Sequence, residues 1–576
     1  MSEALKFRFD GAGDDFTSAG KASVQVKKNL RQLGLSPETI RRVSIAMYEG
    51  EINMVIHAGG GVAEVTVTED CVEIFLSDKG PGIKDIDQAM QEGFSTASDN
   101  IRSLGFGAGM GLPNMKRYTD YMDIKSTVGV GTDITMRVNI LKILFREVFI
   151  MNSYEHSVHL DVEKCSGCTT CLKHCPTEAI RIKDGHAQIN QERCIDCGEC
   201  IRVCPHNAKK AVSGKLSDMD RFKWKIALPA PTLYGQFDNL DDVDYVLDGL
   251  LKIGFDDVYE VSAAAELVSA YTRLYLKTEG VKKPAISSAC PVVIRLIALR
   301  FPSLTDNIIH MLPPMEVAAA LAREKAEREH PELKPEEIGV CFISPCPAKS
   351  SYVKNGFAGY KSKVDVVVSI NDIYFQLIAK MKHDSDVEAL SKSGVIGIGW
   401  ATSGGEATAI FNEHYLAADG IDNVIHVLDQ VENGNIPPLE FIELNACIGG
   451  CVGGVMTMQN PFIAKARLQS LRRYLPVSQN FLSKEESGYI PDGYIFNEIP
   501  TYHPISRLSD SMAESMRMMS DIQRLKDELP GIDGGSCGAP NCRALAEDIV
   551  KHNAKLEDCL IRLKNAEKDG GEQSDG

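Results

Sequence analysis

The stretch Glu443-Leu-Asn-Ala-Cys447-Ile-Gly-Gly-Cys451-Val-Gly-Gly454 decides how the middle of this chain is built. Two cysteines lie four residues apart, with two glycines between them and two more shortly after the second. Because glycine has no Cβ, the backbone can fold closely against a bulky group while both sulfurs face it. Two earlier cysteines, Cys290 and Cys346, stand in similarly cramped contexts before prolines. The four thiolates together equal the number that a cubane iron–sulfur cluster needs.

The three segments around these cysteines, in this order, resemble the signature motifs of the catalytic domain of iron-only (FeFe) hydrogenases, over residues 220–500. The resemblance implies that Cys290, Cys346, Cys447 and Cys451 hold a 4Fe-4S cluster. It also implies that Cys451 bridges to a diiron unit carrying CO and cyanide, the whole forming the H-cluster, and that Lys349 hydrogen-bonds a cyanide ligand. Helices and apolar strands alternate here, which predicts a doubly wound α/β domain whose strand ends present the ligands.

The proton path departs from the family pattern. Productive hydrogenases carry a second cysteine directly before the first ligand cysteine, whereas this chain has Ala289. One of two relay carboxylates is replaced by Ala263, and Glu266 remains as the other. Loss of a positioned acid–base group typically costs about 10² to 10⁴ in rate. We therefore expect slow turnover with an intact cofactor, as a sensor would show.

Residues 153–212 contain an internal repeat of Cys-x-x-Cys-x-x-Cys-x-x-x-Cys-Pro. This is the pattern of bacterial two-cluster ferredoxins, in which the fourth cysteine of each run ligates the other cluster. One 4Fe-4S cluster is expected on Cys165, Cys168, Cys171 and Cys204, and the other on Cys194, Cys197, Cys200 and Cys175. Thiolate ligation couples the folding of this segment to metal binding.

Residues 1–140 carry no iron signal. A helix is predicted over Pro37–His57, and Glu49, Asn53 and His57 share one face of it because they recur every four residues. A strand follows that runs into Asp78, and a glycine-rich run comes after it. This order resembles the ATP-binding fold of histidine kinases and gyrase, an α/β sandwich of the GHKL type, and most of all the anti-sigma serine kinases.

By that resemblance Asn53 would chelate Mg²⁺, Glu49 would act as a base or position water, and Asp78 would accept a hydrogen bond from adenine. Consecutive N–H groups without a Cβ suit a triphosphate. The glycines assigned to nucleotide binding, of which those from 105 to 111 would form a lid over the phosphates, are Gly80, Gly82, Gly105, Gly107, Gly109 and Gly111. The same three motifs also occur in folds that only bind nucleotide, so the sequence does not decide whether this domain is a kinase.

Residues 507–565 combine a linker helix with a small cysteine-containing segment. The helix, Ser509–Glu528, carries methionines near helical spacing and is expected to pack on the catalytic domain or to pair with a second chain. Cys537, Cys542 and Cys559 resemble a small helical four-cysteine domain that binds a 4Fe-4S cluster, but the position of the remaining cysteine is Gly534. The cluster would then be absent, be labile, or take an oxygen ligand such as Asp533.

The whole chain sets further bounds. Its 576 residues predict about three or four domains. A net charge of −17 argues against nucleic acid or an anionic membrane as a partner. No stretch reaches about 18 apolar residues, and the amino terminus has no apolar signal core, so we expect a cytoplasmic protein.

The leading hypothesis is a regulatory FeFe hydrogenase. H2 or redox state would be read at the H-cluster, passed through the ferredoxin clusters, and converted into a change in the ATP-binding domain. Its partners would be H2, protons, a redox partner such as ferredoxin, and a regulatory protein of the anti-anti-sigma or phosphatase type. One alternative is a slow turnover hydrogenase. Another is a non-catalytic ATP-binding iron–sulfur protein for electron transfer, against which Lys349 and the Cys447/Cys451 pair argue, since a plain cubane needs neither.

Overall fold

The computed structural model describes residues 4–12, 20–96, 109–140, 154–357, 359–381, 387, 389–482, 488–498, 507–509 and 511–563. These residues form an amino-terminal sandwich, a small repeat segment with two antiparallel strand pairs, a large α/β part and a short helical part at the carboxyl end. Mixed helices and sheets over several parts confirm the predicted multidomain fold class.

The amino-terminal part is an antiparallel sheet in the order β1-β2-β3-β5-β4, packed against helices. Ser36 starts the second helix, because its hydroxyl accepts a hydrogen bond from the Thr39 N–H at 3.1 Å, and Gly59 ends it in the left-handed conformation. The strands are β1 (Leu5–Ala12), β2 (Gly60–Val67), β3 (Cys71–Asp78), β4 (Tyr121–Thr127) and β5 (Gly131–Asn139). The helices are α1 (Lys21–Gln32), α2 (Pro37–Ala58), α3 (Ile86–Ala89) and α4 (Gly111–Arg117).

The next part repeats one strand–helix–strand unit, in keeping with the cysteine repeat. Strand β6 pairs with β9 and β7 with β8, each antiparallel. The elements are β6 (Val158–Leu160), α5 (Thr170–Lys173), β7 (Ile180–Lys183), β8 (His186–Ile189), α6 (Glu199–Arg202) and β9 (Lys209–Ala211).

The α/β part contains two parallel sheets, ordered β11-β10-β13-β14 and β12-β16-β15. Every residue of β13 is buried, as expected for a parallel strand covered on both faces. The strands are β10 (Trp224–Pro229), β11 (Asp257–Val258), β12 (Ala285–Ile286), β13 (Ile338–Ser344), β14 (Val366–Ser369), β15 (Tyr415–Asp419) and β16 (Phe441–Asn445).

Helices connect these strands and cover both sheets. They are α7 (Asp244–Lys252), α8 (Val261–Tyr275), α9 (Pro291–Arg300), α10 (Pro314–Glu329), α11 (Pro347–Asn355), α12 (Ile370–Lys380), α13 (Val395–Gly399), α14 (Gly405–Ala409), α15 (Ile421–Glu432) and α16 (Pro461–Leu471).

The carboxyl-terminal part consists of α17 (Met512–Glu528) and α18 (Cys542–Val550). Met516 and Met519 of α17 belong to the same hydrophobic core as Val26 and Leu30 of α1 and Leu545 of α18. The prediction that this helix packs on the catalytic domain is therefore wrong, because its apolar stripe covers the amino-terminal sandwich instead. The stripe is buried within the chain, so a homodimer would need another surface.

Helix α1 also touches the other parts of the chain. Lys27 and Arg31 pair with Glu432 at the end of α15, and Lys28 pairs with Glu178 in the repeat segment. Among the described residues, no helix is both long and apolar enough to cross a membrane.

Candidate functional site

Strands from both parallel sheets, β12, β13 and β16, lead into one cavity. Cys290 and Cys346 each precede a helix whose first residue is proline, α9 and α11, and the Cys447/Cys451 turn follows β16. A helix amino terminus favours a thiolate, because its free N–H groups carry partial positive charge. The cavity is lined by all four cysteines together with Ala289 and Lys349.

The glycines of the third motif are required by the packing of neighbouring backbone. Gly449 and Gly450 have φ of 84° and 92°, in the left-handed region. A Cβ on Gly453 would lie 2.0 Å from the Ile448 carbonyl oxygen, and one on Gly454 would lie 2.2 Å from that of Pro345. The turn is thus folded tightly enough to bring Cys447 and Cys451 to the same cavity.

The four thiols fit a metal cluster better than they fit free cysteines. Burial raises the pKa of Cys346 to about 12, and the nearby Cys290 thiol adds to this while Lys349 opposes it. Burial likewise raises the pKa of Cys447 and of Cys451. Deprotonating four thiols in such a site is costly unless a cation binds them, and four thiolates are the donor set of a 4Fe-4S cluster.

Two buried carboxyl groups that the sequence did not single out line the same cavity, Glu406 and Glu443. The Ser287 hydroxyl donates a hydrogen bond to Glu406 at 2.6 Å. Burial and the neighbouring Glu443 raise the pKa of Glu406 from 4.5 to about 8. Glu443 accepts hydrogen bonds from the N–H groups of Gly404 and Ala407 at 3.0 and 2.8 Å. An acidic residue inside the buried strand β16 was the signal in the sequence that could have found it.

Glu266 has a different environment. It is 2% exposed, and the described residues that line the cavity do not include it. Its carboxylate accepts hydrogen bonds from Gly394 N–H at 2.6 Å, Ser478 Oγ at 2.9 Å and Asn480 Nδ2 at 2.8 Å. The residue therefore ties two loops to α8, and its role as a relay stays a prediction.

The eight cysteines of the repeat gather into two groups. Cys165, Cys168, Cys171 and Cys204 line one cavity. Cys175 lies close enough to Cys194, Cys197 and Cys200 to influence their pKa values, which burial raises. Each group thus combines three cysteines of one run with the fourth of the other, which is the arrangement that the repeat predicts.

Lys209 supports an anionic occupant of these groups. Its side chain is buried, and its ammonium has no hydrogen-bond partner among the described residues. It acts on the Cys171 and Cys200 thiols, lowering their pKa values against the larger effect of burial. A buried cation without a partner is costly, and a thiolate-bound cluster next to it would supply the missing negative charge.

The repeat segment lies between the large cysteine cavity and the carboxyl-terminal cysteines. Arg202 Nη2 donates to the Gly453 carbonyl at 2.9 Å, and Cys197 packs into the same hydrophobic cluster as Cys290 and Cys346. At the other end, Ile182 N–H donates to the Gly538 carbonyl at 2.9 Å. The repeat segment therefore connects the large cavity to the carboxyl-terminal cysteines.

The carboxyl-terminal cysteines also come together. Burial raises the pKa of Cys537, and Cys559 and Cys542 are near enough to raise it further. A Cβ on Gly534 would meet no atom closer than 3.9 Å, so the missing cysteine leaves space. Asp533 is adjacent, and its Oδ1 accepts the Cys542 N–H at 2.7 Å. An oxygen ligand from Asp533 stays a prediction.

The amino-terminal sandwich contains a cavity of about 1150 Å³. Asn114 Nδ2 donates to Glu49 Oε1 at 2.6 Å, while burial raises the pKa of Glu49. Asp78 Oδ1 accepts the N–H groups of Gly80 and Thr132 at 2.8 and 3.2 Å. Of the residues predicted to bind nucleotide, those lining the cavity are Glu49, Asn53, Asp78, Gly82, Gly109 and Gly111.

The glycines predicted to bind nucleotide differ in how closely they approach the cavity and the neighbouring chain. A Cβ on Gly109 would lie 2.4 Å from the Gly93 backbone, so that position needs glycine, whereas one on Gly111 would lie 2.9 Å from Asn53 Nδ2 and would displace that side chain. Gly80 donates its N–H to Asp78 and is outside the residues that line the cavity. Gly105 and Gly107 lie outside the described residues.

Family models match four segments of the chain. "Iron only hydrogenase large subunit, C-terminal domain" matches residues 223–418 and 406–455. "4Fe-4S dicluster domain" matches residues 157–205, and an Fe-S cluster model matches residues 529–561. "Histidine kinase-, DNA gyrase B-, and HSP90-like ATPase" matches residues 40–142.

Curated relatives match the amino-terminal part. The serine/threonine-protein kinase RsbT of Bacillus subtilis (strain 168) is 33% identical over 118 residues, which are 20% of this chain and 83% of that protein. The anti-sigma F factor of Clostridium beijerinckii is 32% identical over 122 residues, 20% of this chain and 82% of that protein. The chain therefore carries an iron-only hydrogenase large-subunit domain and an ATPase domain that belongs to the anti-sigma kinase family.

Solved FeFe-hydrogenase structures are similar to part of this chain. A structure of HydA(deltaEFG), described for stepwise H-cluster assembly, has a TM-score of 0.35 and 16% identity, covering 46% of this chain and 88% of that one. A variant of HydA1 from Chlamydomonas reinhardtii has a TM-score of 0.34 and 16% identity, covering 48% and 90%. The predicted family and architecture are confirmed by the family models and the kinase relatives.

Proposed function

We propose that this fusion is a regulatory hydrogenase that responds to H2 or to redox state and passes the response to its ATPase domain. One observation carries the proposal. The hydrogenase cavity keeps four cysteines and Lys349, but a methyl group, that of Ala289, stands directly before the first ligand. The cofactor would be held, while proton exchange would be slow.

Each set of residues has a part in this proposal. Cys290, Cys346, Cys447 and Cys451 would hold the H-cluster, which when bound supplies the chemistry of H2 oxidation and proton reduction. The Lys349 ammonium would bind the anionic face of that cofactor. The two cysteine groups of the repeat would accept the electrons, since thiolate-bound clusters are electron carriers.

The output would be a change in nucleotide binding or phosphoryl transfer. Asn53 would hold Mg²⁺, Asp78 would hold the base, and Glu49 would position the attacking group. A serine-bearing regulatory protein related to the anti-anti-sigma factors suits this output, because the kinase relatives are anti-sigma kinases. Ferredoxin is the proposed redox partner, and the cytoplasm the proposed location.

The test uses the matured full chain under H2 and under argon. Infrared bands of metal-bound CO and cyanide that shift with H2, together with an ATP affinity or ATP turnover that differs between the two gases, are the expected result. If the infrared bands shift with H2 but ATP affinity and turnover are the same under both gases, the proposed signal from the H-cluster to the ATPase domain is contradicted. Absent bands after competent maturation would contradict the H-cluster itself.

Replacing Ala289 with cysteine separates a sensor from a turnover enzyme. The Ala289→Cys variant should raise H2 turnover by about 10² or more, because it restores a titratable group next to the cofactor. Ala263→Ser is the matched control, since it adds a hydroxyl outside the residues that line the cavity. An unchanged rate in Ala289→Cys would instead favour the alternative, a turnover hydrogenase whose protons pass through a relay other than position 289.

A further inference from the structure

The nucleotide cavity is walled by two domains. Most of its lining comes from the ATPase domain, including Glu49 and Asn53 on α2. The rest comes from the end of α15 and the residues after it, in the hydrogenase domain: Gln430, Gly434, Asn435 and Ile436. The cavity is therefore complete only when the two domains are in contact.

The hydrogenase residues stand at one particular end of the cavity. Glu49 and His57 are two turns apart on α2, roughly 12 Å along the axis. Asp78 lies near His57, where it opposes the fall in the His57 pKa that burial causes. At the other end Tyr48, next to Glu49, lies close to the Asn435 carboxamide, which opposes the rise in the Tyr48 pKa that burial causes. The hydrogenase wall thus faces the Glu49 end, away from Asp78.

This wall is firmly held. Glu432 is 3% exposed and pairs with Lys27 and Arg31 of α1, and the Ser303 hydroxyl donates to the same carboxylate. Asp429 adds a contact with Lys27 at 3.8 Å. The two cations offset the negative charge of the α15 carboxyl end, which would otherwise repel an anionic ligand.

We propose that the hydrogenase domain supplies part of the ATP site, with the carboxamides of Gln430 and Asn435 donating hydrogen bonds to the terminal phosphate. Asp78 at one end suits the base and Asn53 in the middle suits the metal-bound phosphates, which puts the terminal phosphate at the Glu49 end. Amide N–H donors suit phosphate oxygens. The inference rests on the proposed function in this assignment of the two ends.

The arrangement links the nucleotide to the third cysteine motif. Gln430 lies in the last turn of α15, and at the start of that helix the Gly420 N–H donates to the Asn445 carbonyl at 3.0 Å, two residues before Cys447. Any change at the cysteines that alters the position of α15 then alters the affinity for ATP, and ATP acts on the cysteine site by the same factor.

The test measures binding of a fluorescent non-hydrolysable ATP analogue and of the matching ADP analogue to the full chain with its clusters. Asn435→Ala should weaken the ATP analogue by about tenfold, since a hydrogen bond to a charged group is lost, and change the ADP analogue by less than twofold. Gln430→Ala should act in the same direction. His426→Ala is the control, because His426 is exposed on α15 and is outside the residues that line the cavity.

A second variant tests whether Asn435 acts only through Tyr48. Tyr48→Phe removes the phenol hydroxyl near Asn435 and keeps the ring, so it should weaken binding of the ATP analogue less than Asn435→Ala does. Equal losses for ATP and ADP, an unchanged Asn435→Ala, or a Tyr48→Phe loss equal to that of Asn435→Ala would each overturn the proposal. A wild-type chain that binds neither analogue would overturn the nucleotide arm of the proposed function as well.

Discussion

Asn114 controls the charge of Glu49 more directly than any other described side chain. Burial raises the pKa of Glu49, and the Asn114 amide, which donates to its carboxylate at 2.6 Å, is the opposing influence. A base must be deprotonated, so nucleotide turnover by Glu49 should fall on the acid side of its pKa. Removing the amide donor disfavours the carboxylate and raises that pKa further.

Asn114→Ala should therefore move the acid limb of the pH profile for ATP turnover to higher pH. At pH values below the acid limb, ATP turnover falls in both the wild type and the variant. At pH values well above it, the two turnover rates should become equal. The control is Lys116→Ala, on the exposed side of the same helix, which should leave the limb in place. A limb that does not move in Asn114→Ala would show that Glu49 is not the titrating base.

At this scale the sequence predicted the cysteines well and the carboxyl groups poorly. Cys447 and Cys451 could be recognised from their close spacing and the glycines around them, because cluster ligands that lie near each other in the chain form a local sequence motif. Glu406 reaches the cavity only because α14 packs beside β16, a contact that no local pattern records. Glu266 was chosen by resemblance; its carboxylate accepts hydrogen bonds from loop N–H groups, and its role as a relay stays a prediction.

The contact between α1 and α15 depends on one buried carboxylate. Lys27 and Glu432 are each 3% exposed, and Arg31 joins the same group. Glu432→Gln should remove the carboxylate that Lys27 and Arg31 share and cost about 3–5 kcal/mol of stability. Thermal denaturation followed by calorimetry should show a lower midpoint for the transition that involves the ATPase domain.

A surface ion pair in the same domain gives the matched control. Arg8 and Glu64 meet at 2.8 Å with side chains 62% and 45% exposed, so Glu64→Gln should cost no more than about 1 kcal/mol. If Glu432→Gln costs as little as Glu64→Gln, the interface does not depend on this cluster.

Elements were easier to predict than their partners. The cap at Ser36 and the spacing of polar residues fixed α2 within one residue of its observed end, because those signals are local. The methionine stripe of α17 was also correctly seen as apolar and buried. Its partner was not, because residues near position 30 and position 519 meet only through the fold of the whole chain.

At the scale of the whole molecule, the ATPase domain contacts all three other parts of the chain, although it comes first in the linear order of domains. Its first helix pairs with the hydrogenase domain through Glu432 and with the repeat segment through Glu178. Arg543 of α18 donates to Asn29 at 2.7 Å, which joins the carboxyl-terminal part to the same helix. A signal from any cysteine group could thus reach the nucleotide cavity through α1.

Met519 tests whether the ATPase and carboxyl-terminal cores are one unit. It is 1% exposed in a core shared by α1, α17 and α18, and Met519→Ala should cost about 2–5 kcal/mol by opening a cavity there. If the core is shared, amide hydrogen exchange should become faster in α1 as well as in α17, although the two helices are far apart in sequence. Arg517→Ala, on the exposed face of α17, should change neither helix. Faster exchange confined to α17 and α18 would show that the two cores unfold separately, and a signal could then not pass between them by packing alone.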